Sequence, residues 1–304
     1  MDGWLILDKP LGLGSTQAVS AVKRALRRCG CAKVKVGHGG TLDPLATGVL
    51  PIALGEATKL TGRMLDADKV YDFTIAFGVE TDTLDAEGQG VAFSDERPTI
   101  EAVQAILPAF TGAIEQVPPA YSALKVAGER AYDRARAGET VELAARGVTI
   151  HRLAITDAGD SGEGALLHEV TLSAAVSKGT YIRSLARDIA QALGTVGHVT
   201  MLRRTKAGPF ALPQAITLAK LEEAATAPAL AGLCLPLTAG LDGIPALAVT
   251  AHQAQALRSG QAPGGIAAPD GPCLALLGDI PVALAEVTGG TIRTVRGFNL
   301  MPKD

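Results

Sequence analysis

Aromatic residues are scarce: Phe, Tyr and Trp make up 4% of the 304 residues, with a single Trp. A core built from this chain must be filled by Leu, Val, Ile and Ala. Cysteines number four, and Cys29, Cys31, Cys234 and Cys273 show no metal-ligand spacing. With no secretory signal at the N-terminus, this predicts reduced thiols in a cytoplasm. No apolar run approaches the roughly 18 residues of a membrane span. The richest stretch, 273–286, is cut by Asp279 and Pro281. The five histidines, His38, His151, His168, His198 and His252, form no H-x-x-x-H pair. There is no P-loop, no G-x-G-x-x-G after a strand and no G-x-S-x-G elbow. The carboxylates Asp82, Asp85 and Glu87 lack the spacing of a calcium loop. Metal, nucleotide and serine chemistry therefore all lack their usual parts.

What is present is a foldable chain. Hydrophobic residues at 47% against 19% charged exclude disorder. The length fits one large domain, or one domain and a small module. Residues 3–8 read as a strand, broken by Pro10, Gly12 and Gly14. Ser15 or Thr16 is a suitable N-cap for a helix ending near Gly30, with Val19, Val22 and Leu26 as its apolar stripe. Residues 37–50 read as a glycine- and proline-punctuated loop, with a helix from about Val49 to Leu65. Residues 70–78 alternate, with Tyr71, Phe73, Ile75 and Phe77 on one face of a half-buried strand. A polar loop covers 78–90, and 99–110 reads as a helix. Residues 166–176 alternate again, placing Leu166, His168, Val170, Leu172, Ala174 and Val176 on one face.

Thr180 is expected to cap a helix to Leu193, with Gly194 as its stop and Ile182, Leu185, Ile189 and Leu193 as its buried stripe. Strands mixed with helices, without regular βαβ alternation, predict an α+β fold with a mixed, largely antiparallel sheet. From about 212 the composition shifts. Residues 246–304 read as a short helix (251–259) and compact strands: either a small, mostly β module or the last strands of the same domain.

Net charge is −3, but its distribution is uneven. Residues 1–50 carry a local +4 and residues 176–210 a local +5, so the two segments form either one phosphate-binding surface or two ordinary solvated faces. Asp43 is the sole acid between Asp8 and Glu56 and lies in a glycine-rich turn, where backbone approaches a ligand closely. An aspartate so placed acts as a nucleophile or base, or merely starts an Asp-Pro turn. Arg183, near a helix start, either grips a carboxylate or phosphate or lies on the surface.

Taken together the motifs are similar to those of one family. Gly37-His38-Gly39-Gly40-Thr41-Leu42-Asp43-Pro44-Leu45-Ala46-Thr47-Gly48-Val49-Leu50 resembles the catalytic-aspartate motif of the TruB family, the bacterial tRNA pseudouridine-55 synthases. Leu5-Ile6-Leu7-Asp8-Lys9-Pro10 resembles its lysine–proline motif, and Val70-Tyr71 its tyrosine motif, followed by Thr81-Asp82-Thr83-x-Asp85. Pro118-Pro119-x-x-Ser122-Ala123-x-Lys125, Tyr132, Ser177-Lys178-Gly179-Thr180-Tyr181-Ile182-Arg183 and His198 to Phe210 with Leu202-Arg203-Arg204 follow in family order. The match runs over roughly 3–210.

The resemblance implies a pseudouridine-synthase fold over 1–245 and a small PUA-like RNA-binding module over 246–304. It implies an isomerase acting on the T-arm stem-loop of tRNA, with no cofactor, no metal, no membrane and no obligatory protein partner, working as a cytoplasmic monomer. Asp43 would be the nucleophile. Whether it attacks the sugar, attacks the base or removes a sugar proton stays open. Arg183 would pair with Asp43 and keep it ionised while buried. Tyr71 would stack on the flipped base and serve as a catalytic base late in the reaction, Tyr181 and Leu202 would line the uracil pocket, and His38 would meet the RNA where the base leaves its stack. Lys9, Lys178 and the arginines would hold phosphates. The tail, 211–304, carries a net −2, which counts against strong RNA binding there. A catalytically idle RNA-binding or tRNA-folding protein would use the same surface without needing Asp43, Tyr71 and Arg183 together. A glycosidase-like hydrolase would need a second acid near Asp43, and the sequence nominates none.

Overall fold

The structure, a computed structural model, describes residues 1–31, 33–122, 124–126, 129–130, 132, 134, 139, 143–159 and 164–300; Ala123, of the proline–serine motif, lies outside them. In chain order come β1 (Gly3–Lys9), α1 (Ser15–Arg28), β2 (Val36–His38), β3 (Ala46–Leu54), α2 (Thr61–Asp66) and β4 (Lys69–Phe77). The hairpin β5 (Val79–Thr81) and β6 (Gly90–Phe93), then α3 (Ile100–Ile106) and β7 (Gly112–Gln116), follow. The short pair β8 (Lys125–Val126) and β9 (Glu129–Arg130) precedes β10 (Arg146–Asp157), β11 (Glu169–Val176), α4 (Ile182–Ala192), β12 (Gly197–Ala207) and β13 (Phe210–Ala211). After α5 (Leu218–Glu223), α6 (Ala227–Gly232) and β14 (Leu235–Pro236), the tail holds β15 (Ala246–Ala248), α7 (Ala251–Arg258), β16 (Gly271–Leu277), β17 (Ile280–Thr288) and β18 (Thr291–Gly297). The fold is α+β, as expected.

The main sheet runs β14-β1-β3-β12-β4-β11-β10-β7, with β2 added to β3 and β13 to β12. Its pairings are antiparallel except β3 with β12, where Leu202 lies opposite Ala46 and Arg204 opposite Gly48. Alternation along β1 and β3 feeds two layers. Leu5, Leu7, Leu50, Ile52 and Leu54 pack with Val19, Val22 and Leu26 of α1. Trp4, Ile6, Val49 and Ala53 form a second core with Met64 and Phe210. A third core joins Phe73, Ile75 and Phe77 of β4 to Ile182, Leu185 and Ile189 of α4. Tyr71 and Leu202 are half-buried and touch both the α1 core and the α4 core. They mark the seam between the two.

The tail forms its own four-stranded sheet, β15-β16-β17-β18, with α7 packed on it. Thr250 caps α7, accepting from the Gln253 amide while the Gln253 side chain accepts from the Thr250 amide. Leu274 and Phe298 reach into the core around Trp4. Among the described residues no helix is long and apolar enough to cross a membrane.

Four local expectations are corrected. Val49–Leu54 is not helical: it continues β3, with a 3₁₀ turn (Gly55–Leu60) and α2 after it. A central strand buried on both faces shows an unbroken apolar run, which has no period to separate it from a helix. The loop expected over 37–50 shrinks to the turn 39–45, between β2 and β3. Leu166 and His168 are exposed and precede β11, whose pairing begins at Glu169. Neither Ser15 nor Thr180 is an N-cap: Gly14 and Tyr181 are. The Thr180 hydroxyl donates to the Ser177 carbonyl, and Ser15 has a different use.

Candidate active site

The turn 39–45 carries Asp43 to the start of β3, and three side chains from elsewhere in the chain grip it. Ser15, buried at the first turn of α1, donates its hydroxyl to the Leu42 carbonyl and accepts the Leu42 amide, both at 2.8 Å. Lys9 donates from Nζ to the carbonyls of Pro10, Leu13 and Pro44 at 3.0, 2.6 and 3.2 Å. Arg204, 1% exposed, donates to the carbonyls of Gly40, Thr41 and Val49. The backbone is thus fixed at residues 40, 41, 42 and 44. Gly40 and Gly48 have φ of +127° and +99°, and a Cβ on Gly48 would lie 2.2 Å from the Arg204 carbonyl oxygen. Both positions require glycine.

Across the seam, α4 presents Arg183. Its Nη2 lies 3.0 Å from Asp43 Oδ2, and its Nη1 lies 3.4 Å from Asp85 Oδ2. The same guanidinium donates to the Thr83 carbonyl at 2.7 Å and the Tyr121 carbonyl at 3.0 Å. The side chains are 7% exposed for Arg183, 9% for Asp85 and 45% for Asp43. The buried partner is therefore the arginine, not the aspartate, which is half-exposed. A buried cation is tolerable only with counter-charge and satisfied donors, and Asp85 with the two carbonyls supplies these. Asp85 is itself held by the Thr83 hydroxyl at 2.6 Å and the Glu87 amide at 3.1 Å. Between them Leu84 has a φ of 62°, the only positive φ on a non-glycine among the described residues. That left-handed residue costs about 1–2 kcal/mol, and its neighbours Thr83 and Asp85 both face Arg183.

The other expected residues lie on β2, β4, β12 and the segment leading into α4. Tyr71 and Leu202 lie at the seam between the two cores, and the Leu202 carbonyl accepts from the Thr47 hydroxyl at 3.5 Å. Tyr181, two residues before Arg183, is anchored by its amide to Gln116 Oε1 at 2.8 Å, and Arg146 lies over its ring at 4.9 Å. His38, on β2, has a buried Nδ1 without a hydrogen-bond partner. Burial, then the Arg204 charge, lowers its pKa from the usual histidine value. Lys178 is exposed beside Asp66 at 3.0 Å.

Lys9 cannot take the phosphate-binding role expected of it. It is fully buried, and all three of its hydrogens are engaged by carbonyls. Burial first, partly opposed by Asp43, brings its pKa to about 8. The basic segment 176–210 is largely turned inward as well. Arg183 and Arg204 are buried, Arg203 makes a two-pronged pair with Asp8, and Arg187 pairs with Asp188. Sequence reading gave Ser15 only a helix-cap role, placed Arg204 only among the phosphate-holding arginines, and assigned no role to Asp85. Asp85 stood in the Thr81-Asp82-Thr83-x-Asp85 motif, which was the available signal.

Residues 26–182 match the family described as TruB family pseudouridylate synthase (N terminal domain), and residues 183–242 match the tRNA pseudouridylate synthase B C-terminal domain. The tRNA pseudouridine synthase B of Novosphingobium aromaticivorans is 63% identical over 300 residues, 99% of this chain and 98% of that one. The chain belongs to the TruB family of pseudouridylate synthases. It is therefore an enzyme of the isomerase class. A second TruB relative, the tRNA pseudouridine synthase B of Zymomonas mobilis, is 60% identical over 98% of this chain and 96% of its own length. Among solved structures, a chain of a Cbf5-Nop10-Gar1 complex aligns with a TM-score of 0.70 at 26% identity, over 93% of this chain and 78% of that one. An H/ACA RNP bound to a substrate RNA containing 2'-deoxyuridine aligns with a TM-score of 0.72 at 23% identity, over 99% of this chain and 86% of its own, which shows the shared TruB-like fold.

Proposed function

We propose that this protein converts uridine to pseudouridine at position 55, in the T-arm of tRNA, with Asp43 as the nucleophile acting on a flipped-out uridine. The observation that carries this reading is the half-exposed Asp43 carboxylate, 3.0 Å from a buried arginine, on a turn whose backbone is fixed on both sides. Nucleophilic catalysis needs a charged, immobile group open to substrate. The curated relatives' name, tRNA pseudouridine synthase B, supports tRNA as the substrate.

In this reading the target base leaves the RNA stack and enters the seam above Tyr71 and Leu202, with Tyr181 at its edge and His38 beside the gap it leaves. Flipping costs a few kcal/mol, and stacking on a tyrosine at about 1–3 kcal/mol offsets part of it. The uracil is detached, turned and rejoined through carbon, so atoms balance without a co-reactant. Lys178 at the rim holds backbone phosphate. Residues 246–304 serve as a small RNA-binding module behind the catalytic part, 1–245. The enzyme works as a monomer in the cytoplasm, without a protein partner.

The test is to incubate the pure protein with an unmodified T-arm hairpin and map pseudouridine at nucleotide resolution. The expected result is a single site at position 55 for the parent, and none for Asp43→Asn at near-normal RNA affinity. Turnover by Asp43→Asn would remove the nucleophile assignment. Tight binding without turnover by the parent would favour an idle RNA-folding protein.

A further inference from the structure

With Lys9, Arg183 and Arg204 turned inward around Asp43, a dense run of exposed cations among the described residues lies on α1. Lys23, Arg24, Arg27 and Arg28 are exposed on the face opposite the buried Val19, Val22 and Leu26, and Lys33 and Lys35 continue the series past the helix end. No acid occurs in the sequence between Asp8 and Asp43. Among the described residues none of these six cations has an acidic partner within 4 Å, whereas Arg183, Arg187 and Arg203 all do. On a chain of net charge −3, this is a concentrated positive stripe.

Its placement is as informative as its sign. The first turn of α1 is tied to the Asp43 turn by the two Ser15–Leu42 hydrogen bonds. At 1.5 Å per residue, the stripe begins about 12 Å from Ser15 at Lys23 and ends about 20 Å away at Arg28. Positions 23, 24, 27 and 28 share one face in successive turns, about 6 Å apart along the axis. The arrangement is a rigid track leading away from the catalytic turn, at a distance where a stem–loop whose target uridine sits at Asp43 still has backbone to offer.

We propose that the outer face of α1 is a second RNA contact, gripping phosphates of the substrate beyond the loop that carries the target uridine. This rests on the reading of the protein as a tRNA-modifying enzyme and extends it to the part of the substrate outside the site. Guanidinium and ammonium groups on a helix face carry no base-reading geometry here, so the contact contributes affinity and orientation rather than sequence choice. It explains how a protein of net negative charge holds a polyanion, since the attraction is local.

The experiment replaces all four helix cations, Lys23→Gln, Arg24→Gln, Arg27→Gln and Arg28→Gln, and measures the Kd of full-length unmodified tRNA and of the minimal T-arm hairpin from 50 to 200 mM salt. Each lost phosphate contact lowers the salt slope by about 1. The expected result is a slope lower by 2 or more for tRNA, with at least a tenfold weaker Kd. The loss should fall in KM more than in kcat, and should be smaller for the hairpin. A charge-keeping set, Lys23→Arg with Arg24→Lys, Arg27→Lys and Arg28→Lys, should restore the slope. If the neutral set fails to fold, Arg27→Gln with Arg28→Gln gives the same comparison at half the size. Unchanged Kd and slope for both RNAs would overturn the proposal. So would charge-dependent binding to vesicles containing phosphatidylserine with RNA affinity unaltered, because the face would then serve a membrane. If the parent binds tRNA with a steep salt slope but forms no pseudouridine, the catalytic reading fails while the α1 contact stands.

Discussion

Ser15→Ala isolates the anchoring of the Asp43 turn. The substitution deletes one oxygen that serves two buried backbone groups, the amide and the carbonyl of Leu42. Each such group left unpaired costs about 1–3 kcal/mol, so the upper limit is about 6 kcal/mol if nothing relaxes. Leu42 is 4% exposed and packs in the core beneath α1, which resists the relaxation that would let water in. We expect a stability loss of about 2–4 kcal/mol. Leu42 directly precedes Asp43, so the same loosening displaces the carboxylate, and a shift of about 1 Å costs on the order of 100-fold in rate. The assay is single-turnover pseudouridine formation at saturating tRNA, read beside urea unfolding and exchange protection of the Leu42 amide. The control is Thr16→Ala, exposed next door, which should stay within about 0.5 kcal/mol of the parent. Two results would refute the reasoning: a Ser15→Ala protein as stable and fast as the parent, or one that is destabilised yet keeps its saturating rate. The second would mean that Ser15 only supports α1.

Asp85→Asn removes the buried counter-charge of Arg183, and breaking such a pair costs about 3–5 kcal/mol; turnover should fall with it, and unchanged urea stability would contradict the assignment. Arg183→Lys keeps the charge but cannot reach Asp43, Asp85 and two carbonyls with one planar fork, so activity should drop at least tenfold at saturating RNA. Gly48→Ala places a methyl 2.2 Å from the Arg204 carbonyl at a φ of +99°, and thermal unfolding should show a loss of several kcal/mol, with a wild-type midpoint excluding this packing. Lys9, held at about 8 by burial, is protonated in both folded and unfolded chains below that pH, where the full desolvation cost applies. Between 8 and 10.5 only the unfolded chain keeps the proton, so the Lys9 contribution to stability rises with pH. The neutral amine, however, has two hydrogens for three carbonyls, so turnover should fall above about pH 8, and Lys9→Met should lack that limb in a pH–rate profile.

How much of this was readable beforehand depended on whether a residue's role shows in its neighbours along the chain. The strand 69–77 was readable because Tyr71, Phe73, Ile75 and Phe77 alternate with the smaller or polar Asp72, Thr74 and Ala76, which writes a period of two into the sequence. β3 was misread because its two covered faces erase that period. Asp43 stood out as a lone carboxylate among glycines, and motif order paired it with Arg183, 140 positions away. Lys9 and Arg204 carried no such mark. A charged side chain in a sequence looks the same whether it points to water or to three carbonyls, and only the folded chain shows that these point inward. Ser15 was noticed for the right chemistry, a hydroxyl near a helix start, but assigned to its own helix rather than to the turn beside it. Asp85 was visible as a carboxylate in a polar loop and in the Thr81-Asp82-Thr83-x-Asp85 motif, but not as the partner of Arg183; it follows the left-handed Leu84, and a leucine in a sequence gives no warning of positive φ.

These misreadings share a cause that bears on how the site works. Lys9 and Arg204, both less than 2% exposed, donate to backbone carbonyls of the Asp43 turn, and Arg183 pairs with the Asp43 carboxylate itself. Burying three cations is unfavourable unless their donors are satisfied, and here the turn supplies part of that satisfaction: the Pro44 carbonyl for Lys9, the Gly40 and Thr41 carbonyls for Arg204, and the Asp43 carboxylate for Arg183. The chain thus couples the cost of desolvating charge to the rigidity of a single turn: displacing Asp43 would strand an ammonium or a guanidinium in a medium that cannot solvate it. A site preorganised in this way needs no reorganisation when substrate arrives.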